Sequence, residues 1–400
     1  TVKRQEHVMR QITENIYAVG IVDWNVRKFH GNTYITKKGA TYNSYLITGK
    51  EPVLIDVVHK GFEEEFLSNI SEIIDPKEIK HIVLNHLEPD HSGSLEYVAE
   101  MCPNAKFYAT AKLKEGASKY YKLNIEINTV KTGNSFNTGD YTFKFIEVPM
   151  IHWPDSMMTY CPEKKILFSN DAFGQHITSN KLFDDEIDRA DLFKEAKKYY
   201  ANILWALGSI IQRKLTELAA MNLEIEMIAP SHGMIWRKEI SGIMELYMQW
   251  AQNKTENKAV IVYETMWGST EIMAKEILKG LTSKAIDAKL FDIASTDFGE
   301  LAYEMLEAKT FIIGSSTHDN EMLPYIAGFL YFLKGLKPQK RTAFAFGSYG
   351  WAGGAVKDIV ETLKSSGIEV IGQTDAKFKP DSSELKKCFD AGVMLAEKLN

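Results

Sequence analysis

The chain has 400 residues, 45% of them apolar and 25% charged, a balance that supports two or three domains, each burying a core of its own. A formal charge of −6, with no local block of Lys and Arg, excludes a general affinity for nucleic acid or anionic lipid. No apolar run reaches the length of a bilayer span, Thr1 to Arg10 lacks the apolar middle of a signal peptide, and Cys102, Cys161 and Cys388 stand without CxxC spacing. No membrane segment, zinc ribbon or rubredoxin-type iron site is therefore expected, and the protein is placed in the cytoplasm with structural thiols.

In chain order, the first half offers short strand-like runs: TYNSYLIT (41–48), EPVLIDV (51–57), HIVLNH (81–86), KFYAT (106–110), YTFKFIEV (141–148) and KILFSN (165–170). Helical stretches fill the gaps, notably 190–220. This predicts a layered α+β domain in which two sheets pack together. The polar stretch AQNKTENK (251–258) separates Trp250 from the strand-like AVIVYE, so the domains are read as 1–252 and 257–400. Beyond it strands and helices alternate: strand 259–264, helix 270–281, strand 288–293, helix 297–307, strand 310–315, helix 323–336, strand 342–346, helix 354–366, strand 368–372 and a last helix from Ser383. β-branched runs alternating with amphipathic helices specify parallel strands joined by crossover helices, hence a doubly wound α/β sheet.

HLEPDH (86–91) follows the apolar run Ile82, Val83, Leu84 and is one letter from the HxHxDH of many zinc hydrolases. His86, Glu88, Asp90 and His91 can converge where the chain turns. MIHWPDS places His152 after strand 142–148, LFSNDAFG places Asp171 after strand 166–169, and MIAPSHG places His232 after the strand-like 225–229. Each candidate ligand thus follows an apolar run, at the edge where a sheet presents side chains to one pocket. Seven such residues can hold two metals, each with two imidazoles, one private carboxylate and a share of a bridging one.

With HxExDH, HWPDS, NDAFGQH and PSHG in place, the chain resembles the flavodiiron proteins over essentially its whole length. The resemblance implies a metallo-β-lactamase-like αββα sandwich followed by a flavodoxin-like domain. It also implies two iron ions, one held by His86, Glu88 and His152, the other by Asp90, His91 and His232, with Asp171 as the bridge. Imidazole suits zinc, whereas a carboxylate oxygen is a harder donor suited to a metal cycling between ferrous and ferric states, so Glu88 favours redox chemistry over hydrolysis. By the same resemblance His30, in WNVRKFHG, and Tyr199, beside Tyr200, lie near the iron pocket as candidate proton donors. His7, His59 and His81 are read as structural or surface groups, and His176 is left open.

TMWGST (265–270) joins strand 259–264 to a helix and lacks both GxGxxG and the lysine of GxxxxGK[ST], which argues against NAD and nucleoside triphosphates. Thr265, Met266, Trp267, Gly268, Ser269 and Thr270 instead offer hydroxyls and N–H groups to one terminal phosphate. Two further loops follow later strands: Ser316, Thr317, His318, Asp319 and Asn320 in SSTHDNEMLP, and Ser348, Tyr349, Gly350, Trp351, Ala352 and Gly353 in GSYGWAGGA. All three lie at the carboxyl ends of parallel strands, where such sheets bind ligands, and offer aromatic faces to a flat ring. The domain resembles flavodoxin, and FMN is the implied cofactor.

The resemblance implies an oxidoreductase that reduces dioxygen to water, nitric oxide to nitrous oxide, or both, and that works as a head-to-tail homodimer or a dimer of such dimers. Its electrons come from a separate donor, such as a rubredoxin or a reduced deazaflavin. Two other readings stand beside it: a zinc hydrolase of thioesters or related esters carrying a flavodoxin-like domain, and a flavodoxin-like electron carrier whose first domain binds structural metal.

Overall fold

The computed structural model describes residues 10–123 and 125–399. The expectations for residues 1–9, His7 among them, lie outside it. The described residues form two compact units, one drawn from residues 10–27, 36–123, 125–200 and 209–248, the other from 28–35, 201–208 and 249–399.

The first unit contains two sheets. One has seven strands in the order Arg10–Thr13, Ile16–Ala18, Tyr45–Ile47, Val53–Ile55, His81–Val83, Lys106–Ala109 and Ile127–Thr129. The other has five, in the order Ser135–Asn137, Thr142–Glu147, Met157–Cys161, Ile166–Asn170 and Met227–Pro230. One apolar cluster joins them: Ile16, Tyr45, Ile47, Val53 and Ile55 from the first meet Phe143, Phe145, Met157, Ile166 and Phe168 from the second. Each such side chain contributes about 1.5–3 kcal/mol by burial, so this shared core holds the sandwich together. The central strands Tyr45–Ile47, Val53–Ile55, His81–Val83, Met157–Cys161 and Ile166–Asn170 are buried on both faces, which is why they are short and apolar.

The second unit is a parallel sheet ordered Asp287–Asp292, Glu256–Glu264, Ala308–His318, Thr342–Tyr349, Glu369–Lys377, with helices between successive strands. Numbered along the chain this is 2-1-3-4-5, the flavodoxin order, in which the order of strand addition reverses between the first and third strands. The expected strands and helices all occur, but four strands run further: Glu256–Glu264, Ala308–His318, Thr342–Tyr349 and Glu369–Lys377. Ala308–His318 continues through residues read as loop and pairs back on Glu321–Met322. Asp319 and Asn320, at φ 50° and 67°, make the two-residue turn that such a tight hairpin demands.

Two further departures have a physical reason. The helix read as 190–220 is broken into Arg189–Tyr199, a wide turn at Tyr200–Leu204, a tight one at Trp205–Leu207, and Gly208–Ala220. The break coincides with segment 201–208 grouping with the second unit, where Trp205 Nε1 donates to Asn253 Oδ1 at 3.1 Å. The hairpin Lys28–Phe29 and Tyr34–Ile35 groups there too. Gly299 permits this: a Cβ on it would lie 3.2 Å from Asn202 Oδ1 and 3.3 Å from the Tyr34 ring, and its carbonyl accepts from Asn202 Nδ2 at 3.1 Å.

Candidate metal centre and strand-end cavity

All seven candidate ligands follow strands of the sandwich. His86 and Glu88 lie past His81–Val83, Asp90 and His91 on the short helix Pro89–Ser92, His152 past Thr142–Glu147, Asp171 past Ile166–Asn170, and His232 past Met227–Pro230. The Ser92 hydroxyl donates to the Leu87 carbonyl and, at 3.0 Å, to that of Glu88, which pins the turn bearing four of them.

Their donor atoms converge in two sets. His86 Nε2, Glu88 Oε2, His152 Nε2 and Asp171 Oδ2 make one: His86 is 3.4 Å from each carboxylate oxygen, and His152 is 2.9 Å from Glu88 and 3.1 Å from Asp171. Asp90, His91 and His232 make the other, with Asp171 Oδ1 facing it. His91 Nε2 is 3.2 Å from Asp90 and 3.0 Å from Asp171, and His232 Nε2 is 3.1 Å from Asp90 and 3.6 Å from Asp171. Ligands about 2.1 Å from a common ion lie roughly 3.0–3.5 Å from one another, so each set has the spacing of a coordination shell. The two oxygens of Asp171 point one into each set.

The electrostatics call for cations. Both oxygens of Asp90 and Asp171 and both ring nitrogens of His91 are buried without a hydrogen-bond partner, an arrangement that costs about 1–3 kcal/mol per group unless something ligates them. Burial opposes charge on both partners, yet mutual attraction wins. His91 beside Asp90, among others, holds the Asp171 carboxyl well below the usual carboxylate range, and His91 and His232 lower that of Asp90. Against their own burial, His86 is pushed up to about 10 by Asp155 and Glu88, His152 to about 10 by Asp171 and Glu88, and His91 to about 9 by Asp90 and Asp171. Without metal, protonated imidazoles and ionised carboxylates hold one another in this pocket, and a metal pair fits the same donors.

Outer groups fix the rings. His86 Nδ1 donates to Asp155 Oδ2 at 3.1 Å, and the same oxygen accepts the Leu87 N–H at 2.8 Å. His232 Nδ1 donates to the Thr41 carbonyl at 2.5 Å. Both leave Nε2 aimed at the site, the usual device for orienting an imidazole ligand. Sequence reading quoted Asp155 within HWPDS but gave it no role. The pattern of a carboxylate three residues after a ligand histidine was the available signal.

Tyr199 is fully buried, its ring edge-on to His176 at 5.0 Å and 5.9 Å from His232. Burial and the nearby carboxylates, Asp171 first, keep its phenol protonated. His176, also buried, packs 4.9 Å from His232. His30 is exposed at φ 47° on hairpin 28–35, which groups with the second unit. His81 bonds Glu51 and Tyr108 away from the ligands, and His59 lies 5.3 Å from the Tyr42 ring.

At the strand ends of the second unit lies a cavity of about 890 Å³, within the range of cofactor sites. Met266, Trp267, Ser269, Ser316, Thr317, His318, Asp319, Asn320, Ser348, Tyr349, Gly350, Trp351 and Ala352 line it, as do Ile272, Phe378 and Lys379, which sequence reading missed. Phe378 and Lys379 follow the fifth strand, so strand-end position was the missed signal. Trp267 and Trp351 are 90% and 88% exposed, two bare indole faces that a flat ring would cover. Thr265, Gly268, Thr270 and Gly353 are not among the lining residues. Thr265 Oγ1 accepts the Gly268 N–H, and Gly353 lines a neighbouring cavity. Thr270 is buried and ties the three loops together, its hydroxyl 3.0 Å from Ser316 Oγ and 2.9 Å from Ser348 Oγ. Hydroxyls, helix N-terminal N–H groups and aromatic faces together suit a flavin mononucleotide.

Among known families, residues 40–233 match the ODP family beta lactamase and residues 261–392 match Flavodoxin. The chain is 42% identical to a nitric oxide reductase of Moorella thermoacetica over 97% of its own length and 98% of that protein's. It superposes on rubredoxin oxygen:oxidoreductase from Desulfovibrio gigas with a TM-score of 0.95 at 33% identity, covering 98% of each chain. The flavodiiron protein of Giardia intestinalis gives a TM-score of 0.94 at 36% identity, over 98% of this chain and 96% of that one.

Proposed function

The chain belongs to the flavodiiron protein family, and from that premise we propose that it reduces dioxygen to water, nitric oxide to nitrous oxide, or both, at an iron pair re-reduced through FMN. The observation that carries the reading is the Asp171 carboxylate, whose Oδ1 lies 3.0 Å from His91 and Oδ2 3.1 Å from His152, so that one residue faces two donor sets. When bound, the irons supply two electrons and the flavin two more, enough for dioxygen and four protons to give two waters, while two electrons and two protons turn two nitric oxides into nitrous oxide and water.

The chain's own residues prepare the site for that chemistry. Glu88, Asp90 and Asp171 would offset most of a ferrous pair's charge, and the four imidazoles would complete the two donor sets that hold it. Asp155 and the Thr41 carbonyl keep His86 and His232 in the tautomer that presents Nε2. Of the two candidate proton donors, we favour Tyr199 over His30, because its neutral phenol is buried beside His232. In the second unit, Trp267, Tyr349 and Trp351 would flank the flavin ring, and the N–H groups at the start of helix Ser269–Thr282 would take its phosphate.

The electron donor in this reading is a rubredoxin or a reduced deazaflavin. The working form is a head-to-tail homodimer or a pair of such dimers. The exposure of Tyr325 and Tyr331 on helix Pro324–Leu336, 57% and 80%, supports an interface on that unit. No helix among the described residues is long and apolar enough to cross a membrane, in keeping with a cytoplasmic site of action. The test is metal and flavin analysis beside anaerobic gas consumption. Iron pairs and FMN with donor-driven loss of gas are expected, whereas full zinc occupancy without flavin-coupled turnover would sink the proposal.

A further inference from the structure

A cavity of about 40 Å³ opens behind the metal-bearing loops of the first unit. Its inner wall is Ile151, Ala172 and Phe173, the residues next to the ligands His152 and Asp171. Its outer wall is Ile211, Leu215 and Leu218 on helix Gly208–Ala220. All six are buried, at 9% exposure or less. Toward the surface the lining turns polar, with Lys214 Nζ bonded to Glu217 at 2.7 Å, beside the half-exposed Met221. The lining is mostly apolar, with Ile146, Val148 and Met158 beside the six named, and Thr132, Glu147, Lys214, Glu217 and Tyr247 supply its polar part.

We propose that this cavity is a docking site for a small apolar gas, the substrate class of the metal centre, a proposal that rests on the function assigned above. One water-sized probe needs about 10–15 Å³, so a cavity of about 40 Å³ takes a diatomic molecule or a xenon atom but no larger organic substrate. An apolar void of this kind stays dry, and dioxygen and nitric oxide, which gain little from water, partition into it. Tyr247 also lines the void, and its hydroxyl accepts the Phe173 N–H at 2.8 Å. Gas held at this point lies one residue along the chain from the bridging carboxylate and from His152.

The test uses loaded enzyme. Crystals of the wild type pressurised with xenon are expected to show an atom between Leu215 and Ala172. Leu215→Trp, on the helix rather than on a ligand loop, is expected to abolish that site, leave iron content and flavin spectrum unchanged, and raise the KM for the gas severalfold while kcat at saturating gas stays put. Leu215→Ala, which widens the space, guards against a variant that fails to fold. It should keep xenon and hold KM at or below the wild-type value. Turnover by a wild type that takes no xenon, or an unchanged KM in a variant that has lost the xenon site, overturns the proposal. Xenon binding with no turnover of either gas would refute instead the assigned reaction.

Discussion

Asp155 permits a test that separates charge from geometry at the metal centre. Its Oδ2 takes the His86 Nδ1–H at 3.1 Å and the Leu87 N–H at 2.8 Å, and the residue is only 4% exposed. Asp155→Ala leaves the Leu87 N–H buried without an acceptor, about 1–3 kcal/mol of stability. It also frees the His86 ring, and losing such an outer partner costs about 10–100-fold in metal affinity. That is roughly 1.4–2.7 kcal/mol at one ion, since every tenfold is about 1.4 kcal/mol. Asp155→Asn can keep an oxygen in the same place and so retain both hydrogen bonds while losing the charge. It should fall between wild type and alanine in both respects. Asp155 orients His86, which belongs to only one of the two donor sets, so one iron should leave before the other. The assay is iron retained per chain across a chelator series, with anaerobic thermal melts of the same samples. An alanine variant that holds both irons as tightly as the wild type, or releases them together, would refute the reasoning.

Three further outcomes are expected. Glu88→His, which restores the hydrolase motif, should keep the fold but lower gas reduction by more than about tenfold, a barrier increase above about 1.4 kcal/mol, measured as steady-state turnover at full iron loading. Gly354→Ala would place a Cβ 1.6 Å from the Asn320 carbonyl oxygen, so the second and third flavin loops must part; loss of FMN with a normal far-ultraviolet spectrum is the expected result. Thr270→Val removes the hydroxyl that meets Ser316 and Ser348, two bonds of about 0.5–1.5 kcal/mol each, and should weaken FMN binding by about tenfold in a fluorescence titration.

What the sequence made legible follows from how far each signal reaches along the chain. A ligand histidine after a strand is a local pattern, so all seven candidate donors could be picked out before their convergence was seen. The alternation of strands and helices past residue 258 is local too, and so is the loop at each strand end. The role of Asp155 is not local: its partner His86 lies 69 residues away and meets it only because the two sheets of the sandwich pack face to face. Thr270 looked like a phosphate ligand because a hydroxyl at a helix start commonly is one. Only the approach of strands Ala308–His318 and Thr342–Tyr349 turns it inward to Ser316 and Ser348. The break at 200–207 was hidden for a similar reason, since helical periodicity continues through YYANILWAL and its end depends on Trp205 finding Asn253. Local chemistry thus names the donors, and tertiary pairing decides which are held, in which tautomer and facing what. That is why Asp155, Thr270 and the cavity behind Asp171 are where substitutions most sharply separate a correct picture of this enzyme from one copied off its motifs.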